Sequence, residues 1–322
     1  APLIRDLGIA LAFCDNDATV ALSAQAGKAG LPLEGKDLHV GHSARGVLPA
    51  AAPLAISSAT VTGCALAMKL REEERVALAF IGEGGSSLGE WHEAINLGAA
   101  RKLPIIYSIQ NNQTALSTPT EAQSAARGFA DKALGYGIPQ LTIDGTDPEA
   151  VAAAYTWAAN HARSGQGATL IETVAMRMCG HAHHDDMLYL GMDPELSFEL
   201  PPIYEKGYVD KELYEAWATR DPIARYSKQL VDEGLISLDE LSTLKSSVLE
   251  QVDQAAEEVK ARPWPKAEQA GMGVYADNDI PQHPAVPGVA QKLNHEASCE
   301  VTLASEPELG KGRTSFLESV CD

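Results

Sequence analysis

Cysteine is scarce in this sequence, and the cysteines present are scattered. The chain of 322 residues contains five, and no two of them form a CxxC pair: Cys14, Cys64, Cys179, Cys299 and Cys321. An odd number of isolated cysteines argues against a disulfide scaffold and against a structural zinc site. This usage is typical of a reducing compartment. We therefore expect a cytoplasmic protein, or one of the mitochondrial matrix if the source is eukaryotic.

Basic residues and long hydrophobic runs are also in short supply. Lysine and arginine total 25 against 44 aspartates and glutamates, which gives a formal net charge of −19. Such a surface is repelled by nucleic acids and by anionic membranes, so we expect neither as a partner. The least polar span, residues 47–68, is interrupted by serine and threonine, whereas a membrane helix needs about 20 predominantly apolar residues. The sequence begins with alanine and without a signal peptide, from which we expect a fragment or a processed form.

Apolar segments that alternate with helix-length amphipathic segments are abundant. Continuously apolar segments are typical of strands in a parallel sheet that helices cover on both faces. We therefore predict an α/β fold with a doubly wound, mostly parallel sheet, in which ligands bind beyond the carboxyl ends of the strands. The predicted strands are residues 76–81, 103–109, 140–144 and 168–176.

The composition changes after residue 200. Three segments, 210–220, 221–234 and 237–261, have the spacing of amphipathic helices, and each opens with Asp or Ser. After Arg262, proline, glycine, asparagine and glutamate replace any periodic pattern. We predict an α/β domain over residues 1–200, a C-terminal helical appendage over 201–262 and a linker over 263–322.

Polar side chains follow two of the predicted strands. Glu83 comes directly after the strand 76–81, and Asn112 follows the strand 103–109. Parallel strands end at the same edge of a sheet, so we expect these side chains to lie side by side. Carboxylate, carboxamide and carbonyl oxygens are ligands that Mg²⁺ prefers. The sequence thus predicts a magnesium site at Glu83, Asn112 and the backbone carbonyl of Thr114.

A glycine turn adjoins this predicted metal site. Gly84 and Gly85 let the backbone approach a ligand closely, and we expect the turn Gly84–Ser87 to open a helix over about Ser87 to Lys102. A helix N-terminus favours a phosphate. The alternative is an ordinary glycine turn with a solvated glutamate, followed by an Asx turn at the two asparagines.

A second polar segment, residues 176–191, follows the last predicted strand. It contains the run His181-Ala182-His183-His184-Asp185-Asp186. Three interpretations stay open for it. It is a solvated polar loop, a metal site of the metallo-β-lactamase type formed by His181, His183 and Asp185, or the active-site loop that the family resemblance below implies.

The motifs together resemble a known family. GEGG (82–85), a crossover of matching length, QNNQTALSTPT (110–120) and GYGI (135–138) resemble the alpha subunit of the thiamine-diphosphate-dependent component of 2-oxo acid dehydrogenase complexes. The resemblance covers about residues 1–260. The branched-chain members are especially similar, because they carry Glu at the position of Glu83, where pyruvate-type members usually carry Asp.

The resemblance implies thiamine diphosphate and Mg²⁺ as cofactors and assigns a role to each site residue. Glu83, Asn112 and Thr114 correspond to the metal ligands. Arg177, and Arg5 within the segment IRDLG, correspond to arginines that bind the diphosphate, although a surface arginine is the alternative for Arg5. His181 corresponds to the catalytic histidine beside the reacting carbon. The implied cofactor-binding residues are Arg5, Leu54, Gly84, Gly85, Arg177 and His181, with Leu54 at the aminopyrimidine ring.

The resemblance also implies an activity and partners. The reaction is oxidative decarboxylation of a 2-oxo acid, a branched-chain 2-oxo acid or pyruvate, with acyl transfer to the lipoyl group of an acyltransferase. A beta subunit, or a fused beta portion that residues 313–320 resemble, supplies the aminopyrimidine half of the site in an α2β2-like assembly. Two alternatives remain: a metal-dependent hydrolase that uses His181, His183 and Asp185, and an assembly subunit without catalysis.

Overall fold

A four-stranded parallel sheet organises the fold. The structure, a computed structural model, describes residues 7–30, 33–194 and 199–269, with the backbone alone for His183 and His184. The sheet has the order β1–β2–β6–β5, and β3 and β4 form a separate antiparallel pair. The strands are β1 Ala77–Gly82, β2 Ile105–Asn111, β3 Thr114–Ala115, β4 Thr118–Pro119, β5 Gln140–Asp144 and β6 Thr169–Val174. The predicted α/β fold with a parallel sheet is confirmed.

Helices account for most of the remaining described residues. The α-helices are α1 Leu7–Phe13, α2 Ala18–Ala26, α3 Ile56–Leu70, α4 Gly89–Ala100, α5 Thr120–Gln123, α6 Pro148–Arg163, α7 His183–Tyr189, α8 Lys211–Ala218, α9 Pro222–Asp232 and α10 Leu238–Ala261. Short 3₁₀ helices lie at Ser43–Arg45, Gly84–Ser87, Phe129–Tyr136 and Ala267–Gln269. No helix among the described residues has both the length and the hydrophobicity that a membrane span requires.

Both faces of the sheet are buried against helices. On one face, Tyr107 and Ile109 of β2 pack with Trp91 of α4 in one hydrophobic cluster. On the other face, Ile106 of β2 joins a second cluster with Ala158 of α6. Neighbouring residues of a strand point to opposite faces, so a strand that is covered on both sides must be apolar throughout. This requirement explains the uninterrupted apolar segments of the sequence.

Helix-capping residues account for most of the predicted helix starts. The side chains of Asp147, Asp210 and Asp221 accept hydrogen bonds from backbone N–H groups in the first turns of α6, α8 and α9. Ser237 and Glu240 form a capping box at the start of α10. These side chains satisfy N–H groups that have no partner within the helix. Asp or Ser at these four positions therefore predicted the start of each helix correctly.

The start of α4 is a correction to the prediction. The helix begins at Gly89 and not at Ser87, because Leu88 is extended with ψ of 144° and separates the 3₁₀ helix Gly84–Ser87 from α4. Trp91 and Ile95 are buried as predicted, whereas Leu88 is 39% exposed. The glycine turn therefore does not open the long helix.

The predicted appendage contacts the carboxyl end of β5. Arg220 donates to Asp144 Oδ2, and Arg225 Nη1 lies 3.6 Å from the same oxygen. Thr146 donates to Asp144 Oδ1 from its hydroxyl at 2.6 Å and from its backbone N–H at 2.9 Å. Burial acts to raise the pKa of Asp144, but the hydrogen bonds from Thr146 and Arg220 outweigh it and lower the pKa to about 2. The division at residue 200 stays a prediction.

This cluster gives a test of acid stability. The pKa of Asp144 is lower in the folded chain than its ordinary value of 3.8, so its contribution to stability is complete above pH 4 and is lost as the pH falls towards 2. We expect Asp144→Asn to lower the free energy of unfolding at pH 7 by about 1–2 kcal/mol, because Arg220 is partly exposed and solvent screens the pair. Urea unfolding between pH 7 and pH 2 measures the effect.

The matched control is Asp15→Asn, which removes an exposed ion pair between Asp15 and Arg45. We expect this variant to unfold like the wild type at pH 7. If the free energy of unfolding differed between wild type and Asp144→Asn by the same amount at pH 7 and at pH 2, the role of the Asp144 charge would be contradicted.

Candidate active site

Glu83 lies buried where β1 ends. It is 1% exposed, and the backbone N–H of Asn112 donates to its Oε2 at 3.3 Å. Gly82 of β1 pairs in parallel with Gln110 of β2, so the two chain segments leave the sheet at the same edge. The structure therefore brings Glu83 and Asn112 together, as the sequence predicts. A carboxylate at this depth is stable in its charged form only when donors or a cation surround it.

The glycine turn after Glu83 packs too closely for side chains. A Cβ atom on Gly84 would lie 2.6 Å from Cβ of Ala115, and one on Gly85 would lie 2.9 Å from Cγ1 of Ile81. Glycine at both positions therefore lets the turn approach β3 and β1. Since α4 begins only at Gly89, the N–H groups next to Glu83 belong to the 3₁₀ turn itself.

The two asparagines at the carboxyl end of β2, Asn111 and Asn112, have different environments. Asn111 is 7% exposed, and its Nδ2 donates to Glu172 Oε1 at 2.8 Å. The Oδ1 of Asn112 accepts the N–H of Thr114 at 3.3 Å. The Asx turn considered as the ordinary alternative is thus present. A carboxamide oxygen has two lone pairs, so this hydrogen bond leaves Asn112 able to bind a cation.

Arg177 has two donors that fit an anionic ligand. Its side chain is 9% exposed, and Nη2 donates to the carbonyl of Leu116 at 3.0 Å and to the hydroxyl of Tyr208 at 2.9 Å. Nε and Nη1 are buried without a hydrogen-bond partner among the residues that the structure describes. A buried donor left unpaired costs about 1–3 kcal/mol. These two atoms therefore favour binding of an oxyanion, for which the planar guanidinium is suited.

Asp185 and Asp186 order the loop that follows Arg177. Asp185 Oδ2 accepts the backbone N–H of His181 at 2.7 Å and the hydroxyl of Tyr208 at 2.8 Å, and it lies 3.5 Å from Arg177 Nη2. Asp186 Oδ1 accepts the backbone N–H of Gly180 at 2.6 Å. Burial raises the pKa of Tyr208, and its hydrogen bond to Asp185 adds to this effect. Tyr208 therefore stays protonated as a donor.

One cavity collects most of the predicted site residues. It has a volume of about 980 Å³. Asn112 and Arg177 contact residues of its wall, namely Glu83 and Leu116. Arg5 and residues 313–320 lie outside the described residues. The predicted residues that line the cavity are Leu54, Glu83, Gly84, Gly85, Thr114 and His181.

The geometry does not favour the metallohydrolase alternative. Asp185 pairs with Arg177 and accepts the hydroxyl of Tyr208, so its carboxylate is already engaged. Within the part of the chain that the structure describes, no three His, Cys, Asp or Glu residues form a group that is suited to a metal ion.

Sequence reasoning missed two residues around this site. Glu172 was detectable, because a charged residue inside an otherwise apolar strand is expected to be buried with specific partners. Tyr208 gave no signal. It contacts Arg177 from 31 residues further along the chain, beyond the predicted boundary at residue 200.

A comparison with protein families decides what kind of protein carries this site. The family model described as "Dehydrogenase E1 component" matches residues 2–194 and 205–268, which is most of the chain. The chain belongs to the dehydrogenase E1 component family. This family depends on thiamine diphosphate, which agrees with the resemblance of the sequence motifs.

Several curated relatives of this E1 chain are alpha subunits. It is similar to the 2-oxoisovalerate dehydrogenase subunit alpha of Bacillus subtilis, with 31% identity over 277 residues that cover 85% of this chain and 78% of the relative. The 3-methyl-2-oxobutanoate dehydrogenase subunit alpha of Mycobacterium tuberculosis is 38% identical over 59% of this chain and 47% of its own length. The pyruvate dehydrogenase E1 component subunit alpha of Bacillus subtilis is 37% identical over 63% of this chain and 50% of its own length. The chain thus spans about half the length of the last two relatives.

Proposed function

We propose that this chain supplies the diphosphate- and Mg²⁺-binding half of the active site in a thiamine-diphosphate-dependent 2-oxo acid dehydrogenase. One observation carries the proposal. Residues predicted from separate motifs, including Glu83 and His181, line a single cavity. Arg177 contacts the cavity wall, and two of its buried donors have no partner among the described residues.

Glu83, Asn112 and Thr114 would hold Mg²⁺. Mg²⁺ is bound in proteins through one or two carboxylates together with substrate phosphates and water, and this site offers one buried carboxylate beside a carboxamide. Since Glu83 is buried, a bound metal would add a positive charge next to its carboxylate. The Asx turn between Asn112 and Thr114 fixes the two neutral oxygen donors relative to Glu83.

Arg177 and the glycine turn would bind the diphosphate. Nε and Nη1 of Arg177, which have no hydrogen-bond partner among the described residues, offer two charged donors, and Gly84 and Gly85 line the cavity. Arg5 is proposed as a second diphosphate ligand on the strength of the motif alone.

His181 and Leu54 would serve the reacting half of the cofactor. When bound, thiamine diphosphate supplies the carbon nucleophile that decarboxylates a 2-oxo acid. Histidine titrates near neutral pH, so His181 is suited to hold or transfer a proton while the acyl group departs. The bond from its backbone N–H to Asp185 fixes its place in the loop. Leu54, which is 42% exposed, offers an apolar contact for the aminopyrimidine ring.

A beta partner would complete the site. Relatives of this chain are named alpha subunits, and we infer that a beta subunit or fused beta portion supplies the aminopyrimidine side in an α2β2-like assembly. The acyl acceptor would be the lipoyl group of an acyltransferase. Glutamate rather than aspartate at position 83 favours a branched-chain 2-oxo acid over pyruvate as substrate. The cytoplasmic location stays a prediction.

Reconstitution tests this proposal. We expect residues 1–322 alone to decarboxylate no 2-oxo acid, because half of the site is supplied by the partner. When a beta subunit is added, we expect the rate of decarboxylation to rise to at least ten times the background rate. The assay uses an artificial electron acceptor with branched-chain 2-oxo acids, pyruvate and acetoin as substrates. Turnover by the chain without a beta partner would contradict the divided site.

A further inference from the structure

A second buried carboxylate, Glu172, lies two residues before the end of β6 and is 1% exposed. Its Oε1 accepts the Nδ2 of Asn111 at 2.8 Å. Its Oε2 accepts the backbone N–H of Ala130 at 3.0 Å and the hydroxyl of Thr142 at 3.3 Å. One carboxylate therefore joins the end of β2, the 3₁₀ helix Phe129–Tyr136 and β5 to β6.

Asn111 connects this carboxylate to the turn that carries the predicted metal ligands. While Nδ2 of Asn111 donates to Glu172, its Oδ1 accepts the N–H of Gln113 at 2.9 Å. Gln113 has φ of 71°, in the left-handed region that residues other than glycine rarely adopt. Its Nε2 donates to the carbonyl of Ala175 at 2.9 Å. The turn between β2 and Thr114 is thus held in an unfavourable backbone conformation by two contacts. One comes from Asn111, which is itself bound to Glu172, and the other is the separate bond to Ala175.

The surroundings of Glu172 require two acceptor oxygens. All three groups bound to it are donors. Burial lowers the pKa of Lys132, and the nearby charge of Glu172 acts in the opposite direction. A glutamine would present an NH₂ group to Asn111 or to Ala130. If it faced Asn111, the carboxamide of Asn111 would have to flip, and its NH₂ would then oppose the N–H of Gln113.

We propose that Glu172 is a positioning residue for the metal site. It acts through Asn111 to hold the carboxamide of Asn112 and the carbonyl of Thr114 beside Glu83, and so sets the affinity for the divalent cation. This inference rests on the proposed function, since it assigns Glu172 to the same Mg²⁺ and thiamine diphosphate site.

The test is direct binding of Mn²⁺, used as a paramagnetic probe for the Mg²⁺ site. Electron paramagnetic resonance measures the Kd for Mn²⁺ with the full chain and saturating thiamine diphosphate. We expect Glu172→Gln and Asn111→Ser each to raise this Kd at least tenfold. Thr142→Val is the matched control, because it removes the hydrogen bond to the same carboxylate from the β5 side. We expect it to change the Kd less than twofold.

Each outcome of this experiment has a distinct meaning. A wild-type chain that binds no Mn²⁺ with thiamine diphosphate overturns the proposed function and this inference with it. A wild-type chain that binds, with Asn111→Ser binding equally well, overturns the positioning role alone. An equal loss in Thr142→Val also overturns it, because the carboxylate would then only hold the sheet together. If Glu172→Gln does not fold by circular dichroism, Asn111→Ser, which keeps the carboxylate, decides the result.

Discussion

Glu83→Gln is expected to abolish Mg²⁺-dependent binding of thiamine diphosphate. Glu83 is the buried carboxylate at the end of β1, and glutamine keeps the shape and an oxygen for the N–H of Asn112 but removes the charge that the cation needs. The Kd should rise at least about 100-fold, equivalent to roughly 3 kcal/mol. Isothermal titration calorimetry with thiamine diphosphate, in the presence and absence of Mg²⁺, measures the loss.

Stability measurements separate this loss from misfolding. The free energy of unfolding of the ligand-free chain, measured for Glu83→Gln and for wild type, shows whether the substitution itself destabilises the fold. Ligand at 100 times its Kd raises the free energy of unfolding by about 2.7 kcal/mol, which should be seen in wild type and not in Glu83→Gln. The exposed Glu90→Gln serves as control, and Glu83→Asp should recover part of the affinity. Mg²⁺-dependent binding by Glu83→Gln within threefold of wild type would refute the metal site.

Arg177→Met is expected to remove the preference of the site for a diphosphate. The Nε and Nη1 of Arg177 are buried without partners among the described residues. The substitution removes both of these donors, which are assigned to the diphosphate. We expect the Kd for thiamine diphosphate to rise about 100-fold, and the Kd for thiamine monophosphate to rise much less. Calorimetry at fixed Mg²⁺ measures the Kd for each compound, and a larger rise for the diphosphate than for the monophosphate identifies Arg177 as a phosphate ligand.

Two further substitutions isolate the geometry of the guanidinium. Arg177→Lys keeps the charge but loses the planar fork. We therefore expect the Kd for thiamine diphosphate to rise about tenfold, which is less than the rise in Arg177→Met. Arg225→Lys is the matched control, because it makes the same change at an arginine that pairs with an aspartate, Asp144 at the carboxyl end of β5, outside the lining of the cavity. If Arg177→Met weakened the binding of both thiamine phosphates equally, Arg177 would be acting through Asp185 and the loop and not on the diphosphate.

Local sequence patterns predicted the elements of the fold because those elements depend on local physics. Apolar runs indicate strands that are buried on both faces, and Asp147, Asp210, Asp221 and Ser237 cap the helices that follow them. The start of α4 was predicted two residues too early, because nothing in the letters GGSS distinguishes a 3₁₀ turn from the first turn of an α-helix. Each of these features is determined within about four residues of the chain.

The sequence alone determined that Glu83, Asn112, Arg177 and His181 follow the ends of strands, since strand period and chain order locate those ends. Only the tertiary structure decided how the site is built from them. It placed Asn111 on the buried Glu172 and left Asn112 beside Glu83. It also brought Tyr208 into contact with Arg177 and Asp185, and within the part of the chain that the structure describes it gave Nε and Nη1 of Arg177 no hydrogen-bond partner. These contacts join residues far apart in the chain. They form because β2 lies between β1 and β6 in the sheet and because the segment that contains Tyr208 packs against Arg177 and Asp185.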